Sequence, residues 1–352
     1  MKPRVSIVMP SYNHAQFVGQ AIQSVFDQSF QDFEIVVTDD ASTDGTPDII
    51  RQFSDPRIRL EVFEQNQGAC FALNSSIRRS QGEFLCYLAS DDYFLPEKIA
   101  KQVAYLEANP RVGAVFGLPM LVDERGMSFK SDFGNQFAVP FDNAHPSRQQ
   151  WLRHFFFNCN CLCAPTAMIR RSCFDDVGLY DPRLANLPDF DLWIRICVKH
   201  EIHVMQEELT AFRIRDGLQN MSAPRKDTAL RHAFEYFQIL KHYRKMPRDL
   251  VLEIFAQDLA AREILPNYPH ELLLAEFASM GKTSTHALFA LDTAFEVFAT
   301  LKGGYDQLIE LTGKIDVFNL AAVHRAELPC PCGSGKKYKI CHGRLSWDDP
   351  SG

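Results

Sequence analysis

Phe84-Leu85-Cys86-Tyr87-Leu88-Ala89-Ser90-Asp91-Asp92 decides the fold: an apolar run of strand length stops at two adjacent carboxylates. Apolar residues at consecutive positions suit a strand buried on both faces, as in a parallel sheet covered by helices. In open α/β sheets the ligand crevice lies beyond the carboxyl ends of such strands. Two acids at that edge repel unless a cation or a proton relieves them, and hard divalent ions prefer oxygen donors. Pro96 soon opens a predicted helix, so Asp91 and Asp92 read equally well as caps for it. The neighbouring segments have to separate the two readings.

Upstream the same pattern recurs. Strands are predicted over Val5–Met9, Phe33–Thr38 and Ile58–Phe63. Between them, Phe17, Ala21, Ile22, Val25 and Phe26, then Ile49, Ile50 and Phe53, then Phe71, Leu73, Asn74 and Ile77 fall at helical spacing. Alternating strands and helices predict an α/β domain with a mostly parallel sheet. The polar loops Pro10-Ser11-Tyr12-Asn13, Asp39–Thr46, Glu64–Gly68 and Ser90–Asp92 all follow strands, so they share one edge. That edge suits a nucleotide. Asp39 can accept from a base N–H, Asp40 or Asp91 can hold ribose hydroxyls, and the backbone at Pro10 and Tyr12 can approach the ring. No G-x-G-x-x-G follows the first strand and no G-x-x-x-x-G-K-[ST] loop occurs, which favours phosphates neutralised by a metal. Against this stands ordinary turn chemistry for Asp39, Asp40, Asp44 and Gly45.

The chain has 352 residues, room for one large domain with extensions, and 46% hydrophobic with 12% aromatic content marks it as globular. A formal charge of -7 gives no reason to expect nucleic acid as a partner. No apolar run approaches the roughly 20 residues of a membrane span. Met1-Lys2-Pro3-Arg4 leads straight into the first strand, so no signal peptide is expected. Ten cysteines without an export signal point to reduced thiols and a metal site in a cytoplasmic setting.

Beyond the acid pair, a helix from Lys98 and a strand over Val112–Leu118 continue the domain, and Asp123 to Ser147 reads as a long loop beside an acceptor site. Cys159, Cys161 and Cys163 alternate, which would set three thiols on one face of a strand. One straight strand offers poor tetrahedral geometry, so buried core thiols are favoured over a metal. In P188-D-F-D-L-W-I-R, Asp189 and Asp191 open a helix, where the dipole alone would welcome a carboxylate. Arg213 and Arg215 alternate along a predicted strand, with one or both solvated. From Pro224 the texture is helical, around Ala229–Tyr243, Leu250–Leu265, Leu272–Met280 and Ala287–Leu301, and His232, His242, His270 and His286 show no ligand spacing. In the tail, Cys330, Cys332, Cys341 and His342 place four soft or borderline donors around a Gly-rich turn, enough to close a tetrahedral zinc shell.

Two resemblances follow. V5-S-I-V-M-P-S-Y-N, V36-V-T-D-D-A-S-T-D-G-T, N66-Q-G, L73-N, G82-E-F and S90-D-D, in that order, resemble the nucleotide-sugar half of a family 2 glycosyltransferase of GT-A fold. The resemblance implies that Asp39 contacts the base, that Asn66, Gly68 and Asp91 line the donor, and that Asp92 stands closest to a Mn2+ or Mg2+ ion on the sugar diphosphate. It also implies that Asp189 is the general base of an inverting transfer and that Arg215 meets the diphosphate. Three positions depart from the family pattern: Ala89 where many members have Asp, Leu73 where they have Arg, and Arg215 where they have His. The tail is similar to the SEC-C motif carried by diverse bacterial proteins, which implies Zn2+ and a docking role, with Lys336, Lys337 and Lys339 facing an acidic protein partner.

The expected organisation is a GT-A domain over 1–223, a helical extension over 224–325 and a small zinc-binding tail over 326–345. The expected function is metal-dependent, inverting transfer from a nucleotide-sugar donor, UDP-linked, to a glycan, lipid or protein acceptor. The expected location is cytoplasmic or peripheral at the inner membrane face. The alternative is a catalytically degenerate GT-A scaffold that binds partners and is addressed by its tail. The tail reading is testable by itself: Cys332→Ser in the full chain should remove one bound zinc, measured by elemental analysis, and leave nucleotide binding intact.

Overall fold

The computed structural model describes residues 2–137, 139–141, 145–218, 220, 226–262 and 269–300. Cys330, Cys332, Cys341 and His342 lie outside these. The chain divides into two compact units, Met1–Glu235 and Tyr236–Gly352.

The first unit begins β1 (Val5–Ser11), α1 (Val18–Phe26), β2 (Phe33–Asp39), α2 (Thr46–Arg51), β3 (Ile58–Val62), α3 (Ala69–Arg79) and β4 (Phe84–Tyr87). It continues with β5 (Tyr93–Phe94), α4 (Lys98–Ala108), β6 (Val112–Val122), α5 (Arg148–Asn158), β7 (Met168–Arg170), α6 (Arg171–Val177), α7 (Pro188–Lys199) and β8 (Glu201–Arg213). One 8-stranded sheet runs β3-β2-β1-β4-β7-β6-β8-β5. The first four strands in that order are mutually parallel, as the alternating pattern predicts. β7 turns the sheet antiparallel against both β4 and β6, β8 runs parallel to β6, and the short β5 pairs antiparallel with β8.

Burial explains the strands. Every residue of β2 is buried, and Val5, Ile7 and Met9 of β1 pack with Val18, Ala21, Ile22 and Val25 of α1 in one core cluster. A parallel strand under helices on both faces has no solvent side, hence the largely apolar runs, with Ser6 and Glu34 buried among them and hydrogen-bonded to each other. The G82-E-F motif has a steric cause: Gly82 N–H donates to Ser6 Oγ at 2.7 Å, and a Cβ there would lie 2.6 Å from Ser6 N. Only glycine lets β4 enter beside β1 at that separation.

Two expectations are corrected. Residues 159–163 form no strand. They follow α5 in irregular backbone, with Cys159 at φ 65°, so the three thiols share no face. Cys163 is buried, Cys159 and Cys161 are half-buried, and burial pushes the latter two thiols up to about 12. They stay protonated, and among the described residues no group of three or more His, Cys, Asp or Glu side chains is arranged to hold a metal. Arg213 is not solvated either: it ends β8 and is 1% exposed.

α8 (Lys226–Leu240) leads from the first unit into the second, which holds α9 (Arg248–Ile254), α10 (Ala256–Arg262), α11 (His270–Ser279) and α12 (Ser284–Thr300). The stretch read as one helix over Leu250–Leu265 breaks at Phe255, whose ring stacks on Phe277 with centroids 4.2 Å apart. His286 is a packing residue, fully buried between Thr283 and Tyr236. No described helix is long and apolar enough to cross a membrane.

Candidate active site

From β1 the chain moves outward to β2 and β3, then returns to lay β4 on the other side of β1. That reversal opens a crevice at the carboxyl ends of β1 and β4, where doubly wound sheets bind ligands. Tyr12, Asn13 and His14 follow β1 there, and Ser90, Asp91 and Asp92 follow β4.

The helix-capping reading of the acid pair fails. α4 opens at Lys98 after Glu97, while Gln28 Oε1 accepts from Ile99 N–H and Asp92 Oδ1 accepts from Arg213 N–H at 2.8 Å. Asp92 is 3% exposed, and burial, with the charge of Asp91 second, pushes its carboxyl well above the usual carboxylate range. Arg213 is what holds this edge in shape. Its guanidinium donates to the carbonyls of Asp91 (2.7 Å), Asp123 (2.9 Å) and Glu124 (2.9 Å) and to Gln20 Oε1 (2.6 Å). It also lies over the rings of Phe17 and Tyr93. A buried guanidinium with its donors satisfied in this way ties α1, the acid loop and the turn after β6 to the end of β8.

The open side of the edge belongs to Asp91, His14 and Arg215. Arg215 Nη1 donates to His14 Nε2 at 3.0 Å, and His14 Nδ1 is 2.8 Å from Ser90 Oγ. A guanidinium has only donors, so Nε2 accepts, the imidazole is neutral and Nδ1–H donates to Ser90. Burial, reinforced by Arg215 and opposed by Asp91, keeps His14 below its ordinary value. Asp91 Oδ2 stands 3.8 Å from the same Nε2. Sequence reasoning passed over His14, although it directly follows the P-S-Y-N loop on the predicted ligand edge.

The remaining donor-side positions divide by accessibility. Tyr12, 45% exposed, is free to cover a base, and Pro10 lies near the end of β1, two residues before it. Asp39 is fully buried and accepts from Ser42 N–H (2.8 Å) and Ser42 Oγ (2.6 Å). Asp40 accepts from the N–H groups of Gln67 (2.7 Å) and Gly68 (2.8 Å), and Asn66 Nδ2 reaches Asp40 O. Gly68 takes φ 101°, a conformation that favours glycine, so the N-Q-G motif is accounted for by the turn. Asp44 likewise serves the local turn, accepting from Ala15 N–H and from Thr46. Leu73, in place of the family's arginine, points into the core.

Asp189 stands in the first turn of α7, partly exposed, accepting from Phe190 N–H (2.8 Å) and Asn160 Nδ2 (3.0 Å). Burial raises it to about 6 despite these bonds and the helix N-terminus. Asp191 is engaged elsewhere. It pairs with Arg195 at 2.7 Å, and Arg195 also donates to the carbonyls of Val177 (2.6 Å) and Leu179 (2.9 Å). The acid pair and Asp189 both act on the half-buried phenol of Tyr87, which is pushed up first by burial and then by charges that include Asp92, Asp91 and Asp189.

The acid pair fits a divalent cation. Asp92 is held above its normal range by burial and by its neighbour, and Arg213 offsets only part of this, so added positive charge would favour the carboxylate form. Mg2+-type sites take one or two carboxylates and draw their other ligands from substrate phosphates, so a site without a full protein shell is the expected form. Asp91 and Asp92 would hold the ion.

Residues 6–178 match the family described as Glycosyl transferase family 2, and residues 328–344 match the SEC-C motif. TuaG of Bacillus subtilis (strain 168), named as a teichuronic acid biosynthesis glycosyltransferase, is 27% identical over 248 residues, 69% of this chain and 92% of TuaG. The structure of S. aureus TarS 1–349 in complex with UDP-GlcNAc superposes with a TM-score of 0.56 at 17% identity, covering 87% of this chain and 92% of that one. The mannosyltransferase PcManGT from Pyrobaculum calidifontis, in complex with GDP-Man and Mn2+, gives 0.50 at 19% identity, covering 92% and 87%. The fold is GT-A.

Arg213 gives a direct test of the edge. Arg213→Ala strands three carbonyls and Gln20, and should cost about 3–5 kcal/mol in urea unfolding. Arg213→Lys should recover little of it, because an ammonium cannot span the four acceptors.

Proposed function

Because residues 6–178 match glycosyl transferase family 2, with a SEC-C motif further along the chain, we propose that this protein transfers a sugar from a nucleoside diphosphate donor to an acceptor hydroxyl, with inversion. The observation that carries this reading is a carboxylate raised to about 6 at the start of α7, within electrostatic reach of the same phenol, Tyr87, as the acid pair. The first requirement of inversion is a base on the acceptor hydroxyl, opposite a leaving diphosphate whose charge is stabilised. Asp189 is the base in this reading. A value near 6 leaves it ionised at neutral pH yet basic enough to take a proton in the transition state.

On the donor side, Asp39 receives the base N–H, Tyr12 covers the ring and Asp91 takes the ribose. A divalent cation, Mn2+ or Mg2+, bound by Asp91 and Asp92 supplies positive charge to the diphosphate. Arg215 adds a second, permanent positive charge, and His14 fixes its guanidinium over the crevice. A uridine diphosphate sugar is the first donor to test, and a glycan, lipid or protein hydroxyl is the acceptor. The SEC-C tail, holding Zn2+ through Cys330, Cys332, Cys341 and His342, serves as the docking piece for a protein partner. The scaffold alternative leaves unexplained why Asp189 is raised to about 6 in a domain that also keeps the acid pair.

The pH dependence follows from the sign of the shift. The base works only when ionised, so turnover should fall on acidification through about pH 6 and level off above it. Asp189→Asn should cost about 10²–10⁴-fold in rate while nucleotide binding persists. Donor hydrolysis followed by NMR reads both the rate and the anomer first formed. Retained anomeric configuration, or full activity in Asp189→Asn, would overturn the reading.

A further inference from the structure

Asp189 follows a short irregular segment, Ala185-Asn186-Leu187, that enters α7. The segment lies outside the sheet and the helices. Its successive N–H groups all converge on one side chain: Glu235 of α8 accepts from Ala185 (2.9 Å), Asn186 (2.8 Å) and Leu187 (2.8 Å). Oε1 takes the first bond and Oε2 the other two. Glu235 is 2% exposed, so these bonds form away from competing water and are charge-assisted. The carboxylate occupies the place in front of a helix N-terminus where an anion is most favoured.

Glu235 lies 57 residues beyond the end of the family match at residue 178 and beyond the boundary expected at 223. We propose that Glu235 is a positioning residue for the transfer reaction: it clamps Ala185–Leu187 and so fixes the bearing of the Asp189 carboxylate, which makes the first ten residues of α8 part of the catalytic unit. This rests on Asp189 as the base.

Geometry supplies the reason the clamp matters. Asp189 is only two residues beyond Leu187, so a tilt in the segment passes directly into the first turn of α7. A displacement of about 1 Å at a reacting group can cost 10²-fold in rate. The clamp also acts on Asp189 through space. Cys70 of α3, Tyr87 of β4, Cys159 and Cys163 of the loop after α5, and Tyr180 all feel the Asp189 charge; on α7 itself Asp191 is paired with Arg195, and His232 and Glu235 come from α8, His232 Nε2 lying 3.9 Å from Cys159 Sγ. The thiols and phenols are all held above their ordinary values and neutral, and among charged side chains Glu235 is the one that pushes Asp189 upward, behind burial.

The test uses the full chain and Glu235→Gln, which keeps the shape but removes the charge and one acceptor oxygen. Three readouts are needed: amide hydrogen exchange at residues 185–187, the pH titration of the Asp189 carboxyl by ¹³C NMR, and hydrolysis of UDP-GlcNAc, with UDP binding as the check on folding. Expected in Glu235→Gln are faster exchange at all three amides, an Asp189 titration moved to lower pH, and about 10–100-fold slower hydrolysis with UDP affinity unchanged. Unchanged exchange and an unmoved titration would overturn the clamp, whatever the hydrolysis rate. Asp189→Asn, run in parallel, separates the two claims. If it hydrolyses the donor as fast as wild type, the base assignment fails, whereas the exchange and titration results still decide the clamp.

Discussion

A guanidinium buried at the end of β8 holds the ligand edge together. Arg213 joins α1, the acid loop and the turn after β6 to the end of β8, reaching as far as Gln20, 193 residues away in the chain. Its position has an electrostatic logic. Asp91 and Asp92 are forced next to each other where β4 ends, and Asp92 has almost no access to water. A buried charge without compensation would be expelled or neutralised. The clamp supplies a fixed positive neighbour and a backbone N–H, yet Asp92 remains above the usual carboxylate range. The edge is thus stable as a structure and still short of positive charge, which is the condition a cation-binding donor site requires.

The same economy of charge runs through the crevice. His14 is kept neutral by burial and by Arg215, so its Nε2 can accept from that guanidinium rather than repel it. Asp189 is raised but not silenced, because Phe190 N–H and Asn160 offset part of the burial penalty. The carboxylates on this edge therefore sit in different states. Asp40 and Asp44 are committed to turn bonds, Asp39 is buried against Ser42, and Asp91 and Asp189 are partly exposed.

Much of this was legible in the sequence, for identifiable reasons. Strands β1, β2 and β4 announce themselves because double-sided burial favours apolar runs, β3 at the sheet edge shows instead by alternation, and Asp91, Asp92 and Asp189 stand where such runs or a helix begin or end. What escaped were residues whose role is set by distant partners. Arg213 looked like one of two alternating surface arginines, because nothing near it in sequence reveals acceptors at Gln20, Asp91, Asp123 and Glu124. Cys159 to Cys163 mimicked a strand by alternation alone, and the turn at Cys159 cancelled it. Glu235 gave no signal, since a glutamate on an amphipathic helix is ordinary until the three N–H groups it serves are known. His14 did carry a signal in its place after β1, but its meaning depended on Arg215 arriving from the far end of the unit.

The central claim is that the edge at Asp91 and Asp92 binds a nucleoside diphosphate together with a divalent cation. Calorimetric titration of UDP into the protein, in Mn2+ and again in chelator, tests it most directly. The account predicts that Mn2+ tightens binding by about tenfold or more, roughly 1.4 kcal/mol, and that Asp92→Asn loses this increment. Equal affinity with and without the metal, or a metal effect undiminished in Asp92→Asn, would contradict it.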